Sequence, residues 1–232
     1  MGIATILRGL GSLFFPHLCL ACRRSLSGSD QLLCLACGSE MPFSDSYTHP
    51  ENALTDRLEG RFPLVYGAYA YPFREGTVCQ RLIHALKYHD RPDVGVLLGR
   101  ELGTYLQTAE PLRDLTGIVP VPIHARRRRQ RGYNQAEMIA RGLAESLQVP
   151  VYADALRRAD FRGSQTKMGK LQRLENVRDS FTVGEGDFSG GHLLLVDDVL
   201  TTGATVDFCA HALLAAYRDL RLSVATLAVA ER

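Results

Sequence analysis

The chain has 232 residues, 46% of them hydrophobic and 22% charged, with a formal net charge of +2. That length allows one core domain of ordinary size with a small appendage, and the composition excludes wholesale disorder. So small an excess of positive charge also excludes a surface that is basic throughout, leaving any nucleic-acid contact to local clusters.

The first twenty residues are apolar, with Arg8 as the only early cation and Pro16 near the end. No small-x-small cleavage site precedes the first cysteine, so the stretch is read as a mature segment and the cytoplasm as the expected compartment. No apolar run approaches the ~20 residues needed to span a bilayer.

Next come Cys19-Leu-Ala-Cys22 and Cys34-Leu-Ala-Cys37, two pairs with eleven residues between them. Each such turn presents two thiolates, and two turns complete a closed tetrahedral zinc site of structural type. Disulfides fit poorly without a secretion signal. A redox pair would open a helix in a βαβ unit, and none is evident around these cysteines. Binding zinc would supply folding energy to a segment too short for its own core. Residues 1–40 are therefore read as a zinc ribbon. Cys79 and Cys209 fall on apolar helical faces and belong to the core.

Residues 41–63 hold three prolines without clear periodicity and read as a linker or loop packed on the core. From residue 64 to 232 the pattern is that of one domain. Residues 64–71 form an aromatic-rich strand. Helical spacing follows at 77–88 and again at 94–106, then a short strand at 117–122 that ends in prolines. Residues 124–135 carry five arginines within positions 126–131 and read as a basic loop. A helix over 136–147 comes next, started by a capping pair of Asn134 and Glu137. Another short strand is expected within 149–156. Residues 157–178 are polar and basic, suited to a mobile lid. A turn at 187–191, a strand, a helix and a last strand at 222–229 close the chain. Strands alternating with helices imply a mostly parallel α/β sheet.

The densest information lies in Leu193-Leu-Leu-Val-Asp-Asp-Val-Leu-Thr-Thr-Gly-Ala-Thr205. Four apolar residues form a buried strand with Asp197 and Asp198 at its C-terminal end. Ionised carboxylates accept hydrogen bonds, so the pair suits the vicinal hydroxyls of a ribose or a magnesium ion bridging them. The turn Thr201-Thr202-Gly203-Ala204-Thr205 gathers amides and hydroxyls at a helix N-terminus, where a phosphate is favoured. Open α/β sheets bind ligands at that end of their strands. A phosphoacceptor acid pair and a solvated strand end are the competing readings of the two aspartates.

The basic stretches admit alternatives as well. Residues 126–131 suit a pyrophosphate-binding loop, a patch tracking a nucleic-acid backbone, or a solvated arginine loop. Arg131-Gly132-Tyr133-Asn134-Gln135 sits against a helix start. In the lid, Gln165, Lys167 and Arg173 are candidates for meeting a departing pyrophosphate. Lys87 and Tyr88 either border the site or form a solvated helix end.

Residues 193–205 resemble the signature for phosphoribosyl pyrophosphate (PRPP) of type I phosphoribosyltransferases. The resemblance implies ribose contacts from Asp197 and Asp198. It assigns PRPP binding to Val199, Leu200, Thr201, Thr202, Gly203, Ala204 and Thr205. With the four cysteines, Leu86-Lys-Tyr88, Val119-Pro-Val-Pro122, Arg131 to Gln135, Gln165, Arg173 and Asn176, the whole chain resembles the ComF family. These competence-associated proteins join a zinc ribbon to a phosphoribosyltransferase-like domain. That resemblance implies PRPP as ligand, magnesium as helper and a link to DNA uptake or nucleotide salvage. It also implies partners such as single-stranded DNA and competence or recombination proteins. Some relatives carry further Cys-x-x-Cys pairs, whereas residues 38–78 here have none, so one zinc is expected. Three readings stay open: a pentosyl-transferring enzyme, a single-stranded DNA adaptor and a PRPP-sensing regulator.

Overall fold

The structure, a computed structural model, describes residues 17–26, 31–158 and 181–231. Beyond the cysteine segment, with its short helix α1 (Leu35–Ser39), residues 41–63 carry a 3-10 turn at Ser46–Thr48 and the four-residue helix α2 (Thr55–Leu58). They pack tightly: Leu54 and Leu58 are fully buried, and the Ser46 hydroxyl both donates to the Tyr69 carbonyl and accepts from the Tyr69 amide.

The expected α/β architecture is present. Strand β1 (Leu64–Phe73) leads to α3 (Val78–Tyr88) and α4 (Pro92–Leu106), then to the edge strand β2 (Gly117–Pro120). Thr77 caps α3 by accepting the Gln80 amide, and Pro starts α4 where a missing N–H costs nothing. After α5 (Ala125–Arg131) and α6 (Gln135–Leu147) come the short strands β3 (Leu156–Arg158) and β4 (Phe181–Val183), paired antiparallel. Strand β5 (His192–Leu200), helix α7 (Ala204–Ala216) and strand β6 (Arg221–Ala230) finish the chain. The main sheet has the order β1-β6-β5-β2 with every pairing parallel.

Parallel strands are covered on both faces, which explains the unbroken apolar runs. Alternation along β5 sends Leu194 and Val196 to the layer of α3, α4 and α6, and Leu193 and Leu195 to the layer of α7 and α2. Helices α4 and α6 approach so closely that a Cβ on Gly99 would lie 2.2 Å from the Ile139 carbonyl oxygen. One on Gly142 would lie 2.0 Å from that of Val96. Only glycine fits there.

Three expectations need correcting. The basic loop is a helix, α5. Arginine is a good helix former, His124 caps the start through Nδ1, and three arginines sit in the last turn, where the macrodipole favours cations. Within 149–156 pairing is limited to a single parallel bridge from Val151 to Ile118, and the regular strand begins at Leu156. Strand β5 does not stop before the acid pair but continues to Leu200, because β6 offers partners as far as Val229.

Candidate functional site

Because β5 continues through both aspartates, strand alternation turns the two carboxylates to opposite faces of the sheet. Asp198 points toward α3, where its Oδ2 lies 3.0 Å from Lys87 Nζ. Asp197 points toward the α7 layer and accepts the Asp198 amide through Oδ1 at 2.8 Å. Burial, followed by the charge of Asp198, pushes the Asp197 carboxyl up to about 7. The two acids thus meet different surroundings, Asp197 burial and a neighbouring negative charge, Asp198 the ammonium of a lysine.

Beyond Leu200 the chain turns at Gly203, whose φ of +79° suits glycine. A Cβ there would lie 2.9 Å from Leu58 Cδ2. The loop is braced from a quarter that sequence reading missed. Arg57 donates to the carbonyls of Thr201 and Ala230, and Arg61 Nη2 donates to that of Thr202 at 2.7 Å. Both arginines come from the 41–63 segment. With these carbonyls held, the amides of Gly203 and Thr205 bond to no other described residue. Such amides at the start of the thirteen-residue helix α7 make a favourable anion seat. Thr201 and Thr202 are exposed, Leu200 is 1% exposed with its side chain in the core, and Val199 is partly buried.

The acid pair opens into a cleft of about 910 Å³ whose walls include Lys87, Tyr88, Arg127, Arg129, Arg158 and Thr205. The turn from Arg131 to Gln135 lines it as well. Three of the five arginines of 126–131 therefore face the cleft, while Arg128 pairs with Glu137 at 3.5 Å. Asn134 caps α6 by accepting the Ala136 amide, and its Nδ2 donates to the Val121 carbonyl at 3.0 Å. The Glu137 half of the expected capping pair is absent, because that carboxylate holds Arg141 and Arg128 instead. Tyr133 donates its hydroxyl to the Leu86 carbonyl at 2.7 Å, tying this turn to the end of α3. The Gln135 amide is buried with no hydrogen-bond partner among the described residues. Gln165, Lys167 and Arg173 lie outside the described residues.

The four ribbon cysteines converge. Their sulfurs all lie within 4.8 Å of one another, with Cys22 and Cys34 at 3.6 Å. Tetrahedral Zn–S bonds of ~2.3 Å require sulfurs about 3.8 Å apart, so the set fits a zinc ion. Burial pushes the Cys19 thiol up, but amides of Cys22, Cys34 and Ala21 outweigh it and bring the group down to about 6. Burial raises Cys37 to about 12. A bound cation would draw the proton off both. Cys19 and Cys37 pack with Val78, which docks the ribbon on the start of α3.

A serine–histidine–aspartate array exists elsewhere and has another meaning. His192 contacts Asp114 through Nδ1 and Ser223 through Nε2, both at 2.8 Å. His192 and Ser223 are 0% exposed and lie at the opposite ends of β5 and β6 from the cleft, so no substrate reaches them. No described helix is long and apolar enough to cross a membrane.

Comparison with known proteins gives a consistent set of relatives. The chain is 26% identical over 212 residues to competence protein F of Haemophilus influenzae, covering 84% of this chain and 89% of that protein. It is 30% identical over 203 residues to the DNA utilization protein YhgH of Escherichia coli, covering 85% and 84%. Over 110 residues it is 34% identical to competence protein ComFC of Bacillus subtilis, covering 47% and 43%. Among solved structures, a glutamine PRPP amidotransferase from B. subtilis aligns over 61% of this chain and 30% of its own, with 19% identity and a TM-score of 0.41. No family model matches the chain.

Proposed function

The chain belongs to the family of competence protein F and DNA utilization protein YhgH, and from that premise we propose that its cleft binds PRPP with Mg²⁺. The protein would act as a phosphoribosyltransferase-like component of DNA uptake or nucleotide salvage, in the cytoplasm, where thiols stay reduced for zinc. The observation that carries the reading is the joining of an acid pair, a braced glycine turn and an arginine-lined cleft at the C-terminal end of a central parallel strand.

In this reading the turn from Thr201 to Thr205 and the start of α7 hold the 5-phosphate, while Asp198 takes the ribose hydroxyls. Asp197 flanks the sugar from the other face. Arg127, Arg129, Arg131 and Arg158 meet the diphosphate, joined by Gln165, Lys167 and Arg173. The carboxylates of Asp197 and Asp198 have the oxygen chemistry that Mg²⁺ prefers. The ion would neutralise charge on the leaving pyrophosphate. Arginine forks favour the same departing group and cannot lose their charge at working pH. An acceptor attacking C1 would complete pentosyl transfer; without an acceptor, the same site senses PRPP.

Titration calorimetry of PRPP with Mg²⁺ tests the ligand. Wild type is expected to bind, and D197A/D198A to lose at least about tenfold in affinity. Equal affinity for the two rejects the site. Pyrophosphate release over a panel of bases and nucleotides separates transferase from sensor.

A second reading, contact with single-stranded DNA, is favoured by a groove between the ribbon and α3. Its walls include Arg23, Arg81, His84, His89 and Arg91. The His84 ring lies 4.5 Å from that of Tyr88, which is 62% exposed. Cations interleaved with exposed rings suit a single strand. Its affinity is expected to fall steeply with salt; salt-insensitive or absent binding removes this reading.

A further inference from the structure

The last turn of α3 is held against the cleft at three consecutive residues. The Leu86 carbonyl accepts the Tyr133 hydroxyl, Lys87 pairs with Asp198, and the Tyr88 ring lies 5.3 Å beneath the Arg131 guanidinium. The Lys87–Asp198 pair is neither an ordinary surface bridge nor a sealed core pair. The two side chains are 24% and 14% exposed, and both line the cleft. They belong to different layers of the domain, 111 positions apart, so the contact exists because α3 ends directly over β5.

We propose that Lys87 is a ligand-binding residue that acts as a tethered cation. In the ligand-free protein its ammonium occupies the Asp198 carboxylate and keeps free divalent cations from settling there. When a diphosphate-bearing ligand enters, Lys87 shifts to the diphosphate and releases Asp198 to the pentose hydroxyls and the ligand's own metal. This deepens the PRPP reading and rests on it.

The chemistry favours a lysine for this task. An ammonium is a compact charge on a flexible four-carbon stem, able to exchange one anion for another without losing its ionisation. An arginine would grip the carboxylate with two parallel bonds and leave less readily. The position also suits a cation, because the C-terminal end of α3 carries the negative pole of the helix. Arg127, Arg129, Arg131 and Arg158 line the same space, so an incoming diphosphate meets a field that already attracts it. Asp90, which also lines the cleft, is the one other carboxylate there besides the acid pair, among the described residues. A free divalent ion meets the reverse arrangement, with its only central carboxylate pair already half neutralised. Metal and ligand are therefore taken up together.

The test uses the full chain and manganese as the probe. Mn²⁺ binding without PRPP is followed by the loss of the free-ion paramagnetic resonance signal. The K87M protein, which keeps the stem and loses the charge, is expected to bind Mn²⁺ about tenfold more tightly than wild type, with K87Q as a second variant. Adding D198N to K87M should return affinity to the wild-type level. In calorimetry, K87M should bind Mg²⁺–PRPP at least about tenfold more weakly. Unchanged Mn²⁺ affinity in both lysine variants overturns the proposal, and so does unchanged PRPP affinity. A wild-type protein that binds no PRPP rejects the proposed function instead, and the manganese measurement alone then decides the role of Lys87.

Discussion

The two ends of strand β5 carry the same kinds of group in opposite states of satisfaction. At its start, His192 is enclosed and bonded on both ring nitrogens, and Asp114 also takes Arg221 at 2.6 Å. At its far end, Asp197 is buried next to the charge of a second carboxylate, and the Gln135 side-chain amide and the Gly203 and Thr205 amides have no partner among the described residues. A polar network with every bond made stabilises a fold, and one with bonds missing stores the capacity to bind. A serine–histidine–aspartate set can therefore be architecture while a lone acid pair is a candidate site.

The contrast can be broken most forcefully at the satisfied end. The H192A variant leaves a cavity and an unpaired buried Ser223 hydroxyl, and should lose ~3 kcal/mol of unfolding free energy. Ligand affinity at the cleft should hold below the new melting temperature. Denaturant titration with parallel calorimetry checks both, and weakened PRPP binding in the folded variant would show that the two ends are coupled.

The opposite sign is expected at the cleft. An acid whose folded pKa is raised binds its proton more tightly in the native state, so stability falls as pH rises from the ordinary carboxylate range toward about 7. The D197N protein escapes that fall. It should be more stable than wild type at pH 8 by ~2 kcal/mol, and little different at pH 4, while losing PRPP affinity. Melting curves across pH provide the measurement, and equal stability at pH 8 contradicts the strained-acid picture.

The smallest effect belongs to Asp114, whose carboxyl is held below its usual range by the His192 hydrogen bond and then by Arg221. A depressed acid contributes stability above the ordinary carboxylate range, and that contribution disappears as pH falls through its folded value. D114N should flatten the acid limb of the stability profile and leave the region above pH 6 nearly parallel to wild type. An unchanged acid limb would mean that the exposed carboxylate adds nothing to the network.

Much of the candidate site was legible because its parts are neighbours along the chain. The Thr201–Thr205 turn, the aspartates before it and the Asn134 cap are each written within a few residues, and local geometry follows from local order. The arginine run misled because charge suggested a loop, whereas arginine's helix propensity and a capping His124 produce α5. Arg57 and Arg61 were overlooked because a proline-rich stretch without periodicity gives no hint that its side chains reach a loop more than 140 residues away. The glycines of α4 and α6 read singly as weak helix formers, and only their apposition explains them.

The sequence alone determined the alternation of strands and helices, the fourfold cysteine set and the presence of an acid pair before a hydroxyl-rich turn. These depend on periodicity and spacing, which a chain carries before it folds. Only the tertiary structure decided which charge each aspartate meets. Strand alternation separates their carboxylates, and the packing of α3 over β5 brings Lys87 to one and not the other. That selection rests on contacts about 3 Å long between groups more than 100 residues apart, set by how the layers pack and encoded in no local pattern.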